Sequence, residues 1–216
     1  MKSLYSDAGS GILFNLVGDL KIGNTSLPEG VIMLPTNKQE EKIVLASGAQ
    51  LAGIRFHPAI GYGILGQRYD KPTLLLPEQD QLYNLYRIFY DLRKQKDVDK
   101  KIKDLYMWAI KNLDFTNVIP YPLERALDYI DQGEAPGQLS NNIELSQRQI
   151  ERLFKLYLGM TPKQYQRILR IKKVINFIRA HKNVNLADVS QKFGFSDQSH
   201  MTREFRAIAC TTPRQV

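Results

Sequence analysis

Gly194-Phe195-Ser196-Asp197-Gln198-Ser199-His200-Met201-Thr202-Arg203-Glu204-Phe205 is the stretch on which the fold turns. Glycine at 194 suits the left-handed position that closes a helix. Ser196 and Asp197 both suit a helix N-cap, because a short side-chain oxygen accepts one of the unpaired N–H groups of the first turn. Beyond them Met201, Phe205 and Ile208 recur at helical spacing and face inward, with Arg203 outside. Upstream, Asn185 can cap a shorter helix with Leu186, Val189 and Phe193 inward. A short helix, a tight turn and a second capped helix with a polar outer face make the helix-turn-helix plan.

The plan occurs twice. A shift of 50 residues places Ser140, Ile143 and Ser146 on Ser190, Phe193 and Ser196. A shift of 51 places Ile150, Arg152, Phe154, Lys155, Thr161 and Pro162 on Met201, Arg203, Phe205, Arg206, Thr212 and Pro213. Gly159 ends the first outer helix, and Thr161-Pro162 supplies a cap and a proline at the first helical position of a long connecting helix. The apolar positions of that helix are Tyr165, Ile168, Leu169, Ile171, Ile175 and Ile178. A helical solenoid is the bland alternative, but such repeats need at least about three copies to bury a continuous core.

Charge follows the same division. Residues 146–216 hold 14 Lys and Arg against 4 acids, whereas residues 1–145 hold 16 basic and 18 acidic groups. A net of +10 confined to the last third points to a polyanionic partner for that third.

The chain of 216 residues, with 43% hydrophobic and 24% charged residues, is long enough for one large or two small domains and too ordinary in composition for disorder. One cysteine cannot form an internal disulfide, which suits a reducing cytoplasm. No apolar run reaches the roughly 20 residues of a membrane span, and Met1–Ser10 is too polar for a signal peptide. The expectation is a cytoplasmic protein without a membrane partner.

The first part reads as β-rich over residues 11–77, in short apolar runs (Gly11–Val17, Val31–Leu34, Ile43–Ala46, Leu51–Phe56, Thr73–Leu76) separated by turn signals. Leu82, Leu85, Tyr86, Phe89 and Leu92 predict a helix over 79–95, and Ile102, Leu105, Tyr106 and Ala109 a second over 98–112. Arg93–Lys103 reads as the turn between them, and Asn112–Tyr121 as the linker between domains. Tyr83 and Tyr90 extend the apolar surface of helix 79–95 beyond one stripe, so it needs a second partner, the neighbouring helix or another subunit.

With these residues in place, the segment Leu123–Val216 resembles the AraC/XylS family of bacterial transcription regulators. The stretch from Gly194 to Phe205 is close to that family's GFxDxSxFxRxF signature. Ser146–Phe154, Gly159 and Thr161–Tyr165 resemble its first-module signature, and Arg170 matches a conserved arginine of the connecting helix. Departures are Glu144 and Cys210 where glycine is usual, Val174 for a small alanine, and Val216 for an aromatic. Residues 11–95 resemble, more weakly, the half-cupin effector domain of some of these regulators.

The expected architecture is therefore an α+β N-terminal domain, a small β-rich half-cupin-like unit plus a helical hairpin, followed by an all-α domain of two helix-turn-helix modules joined by a long helix. The boundaries are 1–115 for a regulatory or dimerisation domain and 121–216 for DNA binding. The resemblance implies recognition helices Gln147–Tyr157 and Asp197–Ile208 in successive major grooves of promoter DNA about 10 bp apart. Arg152 and Arg203 are the leading base readers, since a guanidinium bridges guanine O6 and N7. Gln147, Arg148 and Glu151 assist in the first module, and Gln198, Ser199, His200 and Thr202 in the second. Lys155, Lys163, Lys172, Lys173 and Arg206 are expected at phosphates. RNA polymerase, a small-molecule effector and a second copy of the chain are the further partners implied.

Catalysis finds no support in the sequence. His57, His181 and His200 lie far apart without metal-ligand spacing. Gly61–Gly66 lacks the strand-loop-helix setting of a phosphate loop and reads as a turn. Asp97, Asp99 and Asp104 alternate with lysines on a solvated face, and Trp108 reads as core. No enzyme and no cofactor are expected. The competing class is a ligand-sensing or protein-docking module whose helical part no longer reads DNA.

Overall fold

The computed structural model describes residues 2–181 and 183–216. They form two compact units, one of residues 2–3, 9–36 and 42–119, the other of 4–8, 37–41, 120–181 and 183–216.

In chain order the first part of the sequence forms β1 (Lys2–Leu4), β2 (Ser10–Val17), β3 (Leu20–Ile22), β4 (Thr25–Leu27), β5 (Gly30–Leu34), β6 (Glu41–Leu45), β7 (Gln50–Phe56), α1 (Ile60–Leu65), β8 (Thr73–Leu75), α2 (Leu85–Lys94) and α3 (Val98–Asn112). The strands lie in two four-stranded sheets, ordered β1-β6-β3-β4 and β7-β2-β5-β8. β2 is central and pairs antiparallel with β5 and β7. Because successive side chains point to opposite faces of a strand, β2 and β5 serve two cores. Ile12, Phe14, Leu16, Val31 and Met33 pack under Leu85, Ile88, Phe89 and Leu92 of α2 and Leu105 of α3. On the other face Leu13, Ile32 and Leu34 meet Leu20, Ile22 and Leu27 of β3 and β4 in the other sheet. Asn15, fully buried on β2, donates from Nδ2 to the carbonyls of Gly18 and Pro28 at 2.9 and 3.1 Å.

Several sequence expectations change here. Gly61–Gly66 is not a bare turn but the helix α1 and its left-handed cap. Its glycines answer to packing: a Cβ on Gly61 would lie 1.9 Å from Ser10 Oγ, and one on Gly63 2.0 Å from the Val118 carbonyl oxygen. The helix expected over 79–95 starts only at Leu85, behind Asn84 at φ 54°, with the Tyr86 N–H held by Asp80 Oδ2 at 2.8 Å. Leu82 therefore stands outside it, 77% exposed. The hairpin turn contracts from Arg93–Lys103 to residues 95–97, because the Asp97 carboxylate accepts Lys100 N–H and starts α3 there.

α2 packs on the sheet and on α3 of its own unit, while Tyr90 stays 49% exposed. Tyr83, just before α2, and Tyr86 within it end on backbone, Tyr83 Oη on the Ile64 carbonyl and Tyr86 Oη on that of Leu75, both at 2.6 Å. A longer exposed apolar stripe lies on α3. Val98, Ile102, Tyr106 and Ile110 are 67%, 64%, 63% and 55% exposed, so Ile102 and Tyr106 are not the inward residues that their spacing suggested.

The second unit is all-helical from Pro120 onward. It contains α4 (Tyr121–Gln132), a 3-10 turn at Pro136–Asn141, α5 (Gln147–Leu158), α6 (Pro162–Ala180), α7 (Leu186–Lys192) and α8 (Gln198–Ala209). Two modules, the 3-10 turn with α5 and α7 with α8, share α6. The first copy's leading helix is reduced to 3-10 geometry, where Pro136 and Gly137 are poor residues for an α-helix. Two short segments join this unit: Ser6 Oγ donates to the Asn37 carbonyl, and Glu40 N–H to that of Ile208 at 2.8 Å, near the end of α8. Cys210 follows α8 at φ 48°, a conformation that favours the glycine usual there.

Candidate nucleic-acid interface

α5 begins with a reciprocal cap. Ser146 Oγ accepts Gln149 N–H at 3.4 Å, and Gln149 Oε1 accepts Ser146 N–H at 2.9 Å. Ile150, Phe154 and Leu158, each four residues on, are buried, and the Phe154 ring lies 5.9 Å from that of Tyr165 on α6. Burial, seconded by Asp131 and Asp128, pushes the Tyr165 hydroxyl up to about 12, so it stays neutral throughout the physiological range. The opposite face of α5 carries exposed Arg148, Glu151, Arg152 and Lys155. Gln147 is half-buried and donates to Glu151 Oε1 at 3.3 Å.

In α8 Asp197, rather than Ser196, is the cap, its Oδ1 accepting His200 N–H at 2.6 Å. That N–H, helped by the Ser196 hydroxyl, holds the exposed Asp197 carboxyl below its ordinary range. Met201, Phe205 and Ile208 are buried, while Gln198, Ser199, Arg203 and Arg206 are exposed. His200 and Thr202 are turned back on their own helix. The His200 ring sets Nδ1 3.1 Å from Ser196 Oγ and its edge against Phe195, and Thr202 Oγ1 donates to the Gln198 carbonyl at 2.9 Å.

The two helices match position for position. Arg152 is the sixth residue of α5 and Arg203 the sixth of α8, each flanked by buried residues at the fourth and eighth places, Ile150 and Phe154, Met201 and Phe205. The expected phosphate ligands Lys155, Lys163, Lys172 and Arg206 are exposed. Lys173 is engaged: its Nζ lies 3.0 Å from Asp131 Oδ1 and 2.5 Å from the Asp131 carbonyl oxygen.

Sequence reasoning missed how α6 grips the second module. Arg170 donates to the Gly194 carbonyl at 3.3 Å and lies 5.3 Å over the Phe195 ring, fixing the turn before α8. Arg167 forms a two-pronged pair with Glu204 of α8, Nε to Oε2 at 2.7 Å and Nη2 to Oε1 at 2.9 Å. The partners are 37 residues apart, so no local pattern announces them.

Residues 139–216 match the family described as "Helix-turn-helix domain". The transcriptional regulator CdhR of Pseudomonas aeruginosa is 32% identical over 78 residues, 36% of this chain and 23% of that protein. The transcriptional activator RhaS of Escherichia coli is 31% identical over 78 residues, 36% of this chain and 28% of that protein. The match thus spans about a quarter of these relatives' length, and they are regulators, not enzymes. For the whole fold, ToxT from Vibrio cholerae O395, solved bound to (E)-4-(8-methylnaphthalen-1-yl)but-3-enoic acid, aligns with a TM-score of 0.54 at 10% identity, covering 99% of this chain and 93% of that one. The fold is that of an N-terminal β-sheet domain followed by a helical part with two helix-turn-helix modules.

Proposed function

We infer, from the helix-turn-helix domain at residues 139–216, that this chain is a sequence-specific DNA-binding transcription regulator of the AraC/XylS type. Its recognition helices are α5 and α8, set in successive major grooves about 10 bp apart. The observation that carries the reading is the matched placement of Arg152 and Arg203, each exposed at the sixth position of a capped helix whose other face is buried. A guanidinium at that place can reach guanine O6 and N7. Arg148 and Glu151 on α5, and Gln198 and Ser199 on α8, complete the exposed sets. Gln147, His200 and Thr202 join only by releasing the contacts they make within the chain. Lys155, Lys163, Lys172 and Arg206 are the proposed phosphate ligands, with Lys173 a weaker one because Asp131 already neutralises it. The test is enrichment of duplexes from a random-sequence pool by the full chain. The expected product is a site with two conserved blocks about 10 bp apart; a pool that stays random favours the docking module instead.

Residues 1–115 are proposed as the regulatory and dimerisation domain, acting in the cytoplasm on a promoter with RNA polymerase. A small-molecule effector is supported by the fold shared with ToxT, which was solved with such a ligand. Dimerisation is supported by α3. A stripe of this extent is unusual on a monomer unless it meets a partner. An antiparallel self-pair puts Val98 against Ile110, Ile102 against Tyr106, and Asp97 of one copy opposite Lys111 of the other. Sedimentation should give a dimer that Ile102→Lys with Tyr106→Lys converts to a folded monomer. A wild-type monomer at micromolar concentration would remove the stripe from the reading.

A further inference from the structure

We propose that Arg167 and Glu204 are a positioning pair that sets the rotation of α8 about its own axis, and so aims Arg203 at the bases. The inference rests on the DNA-binding reading above and goes beyond it. Apart from this pair, α8 is held by Met201, Phe205, Ile208 and Ala209 in the core and, at its C-terminal end, by the Glu40 N–H on the Ile208 carbonyl. Burial of apolar surface is non-directional, and a single bond at one end leaves the N-terminal half free to roll. Such an apolar contact resists separation well and a small roll poorly. A guanidinium–carboxylate fork fixes distance, plane and direction together. Here both prongs are made, at 2.7 and 2.9 Å, from the sixth residue of the 19-residue α6 to the seventh of the 12-residue α8.

The consequence for recognition comes from helix geometry. Consecutive residues on an α-helix project about 100° apart. Pinning Glu204 therefore fixes the direction of Arg203, its immediate neighbour. A roll of α8 that breaks the fork carries Arg203 off its base edge.

Energetics separate aiming from holding. The side chains of Arg167 and Glu204 are 40% and 17% exposed, and pairs that water can reach add little to stability. Arg170, on the next turn of α6, holds the preceding turn through Gly194 and Phe195, so the module keeps its fold without the fork. Glu204 also neutralises Arg167, raising its affinity for its proton and keeping a spare cation off the phosphates. Removing Glu204 both loosens the aim and releases a charge that binds any sequence.

The experiment uses the full chain as wild type, Glu204→Ala, Arg167→Lys and the exchange Arg167→Glu with Glu204→Arg. Each is titrated against a duplex enriched by the wild type from a random pool, and against its scrambled version, with thermal unfolding alongside. Glu204→Ala should lose roughly tenfold on the enriched duplex, the scale of one misplaced bidentate contact, and hold or gain on the scrambled one. Arg167→Lys, which keeps the charge but not the fork, should lose on the enriched duplex alone. The exchange should recover most of the loss, with all melting temperatures within roughly 4 °C of wild type. Equal losses on both duplexes with a large drop in melting temperature would reduce the pair to a structural strut. Unchanged discrimination in Glu204→Ala, or an exchange no better than the single variants, would also overturn the proposal. A wild type that enriches nothing overturns the DNA-binding reading itself, and this inference with it.

Discussion

Phe205→Ala is expected to unfold the second helix-turn-helix module, at a cost of roughly 3–5 kcal/mol for a deleted core ring. The Phe205 side chain is fully buried at the eighth position of α8, between Met201 and Ile208. DNA binding should then fall through loss of structure, visible in thermal unfolding without any DNA. Arg203→Ala should behave in the opposite way. Arg203 is exposed, so its loss should leave melting nearly unchanged while removing roughly 1–3 kcal/mol from an enriched duplex and little from a scrambled one. Phe154→Ala and Arg152→Ala should repeat the contrast in the first module, where the same places of α5 are buried and exposed. Were Arg203→Ala to melt the protein and Phe205→Ala to spare it, the faces of α8 would be reversed.

Salt should act as strongly. With six or so phosphates neutralised, the log–log slope of affinity against salt should lie near −5, roughly a thousandfold loss between 50 and 200 mM. Lys172→Ala should make the slope shallower by about one and weaken enriched and scrambled duplexes alike. Lys173→Ala should change it less, since the ammonium already rests on the Asp131 carboxylate. A wild-type slope shallower than about −2 would remove the picture of basic side chains tracking the backbone.

Local chemistry decided how much of this was legible in advance. The start of α6 follows from its cap and proline, Thr161 before Pro162, whereas the Asp97 cap that starts α3 went unread among the alternating charges of Arg93–Lys103. The repeat at a shift of 51 named the inner and outer residues of both α5 and α8, because a helix that buries one face imposes a period on its sequence. Where no local device operates, the reading drifted. Leu82 kept the spacing of α2 but stands before its start, and Ile102 and Tyr106 kept that of α3 but lie on its open side. Hydrophobic period shows that a face is apolar, not what covers it.

The sequence by itself determined the division into a β-rich first part and a helical second part, the double helix-turn-helix plan, the confinement of positive charge to the last third, and the arginines presented at matching positions. All depend on neighbours within a few residues or on composition. Only the tertiary structure decided which basic residues remain exposed to a polyanion. It set Lys173 on Asp131, Arg170 on Gly194 and Phe195, and Arg167 on Glu204. It also drew residues 4–8 and 37–41 into the helical unit, where Glu40 N–H meets the Ile208 carbonyl. The physical reason is range: caps and helical periods act over one or two turns, whereas the partner of a charge, or of a carbonyl at a helix end, is whatever the folded chain brings within about 3 Å.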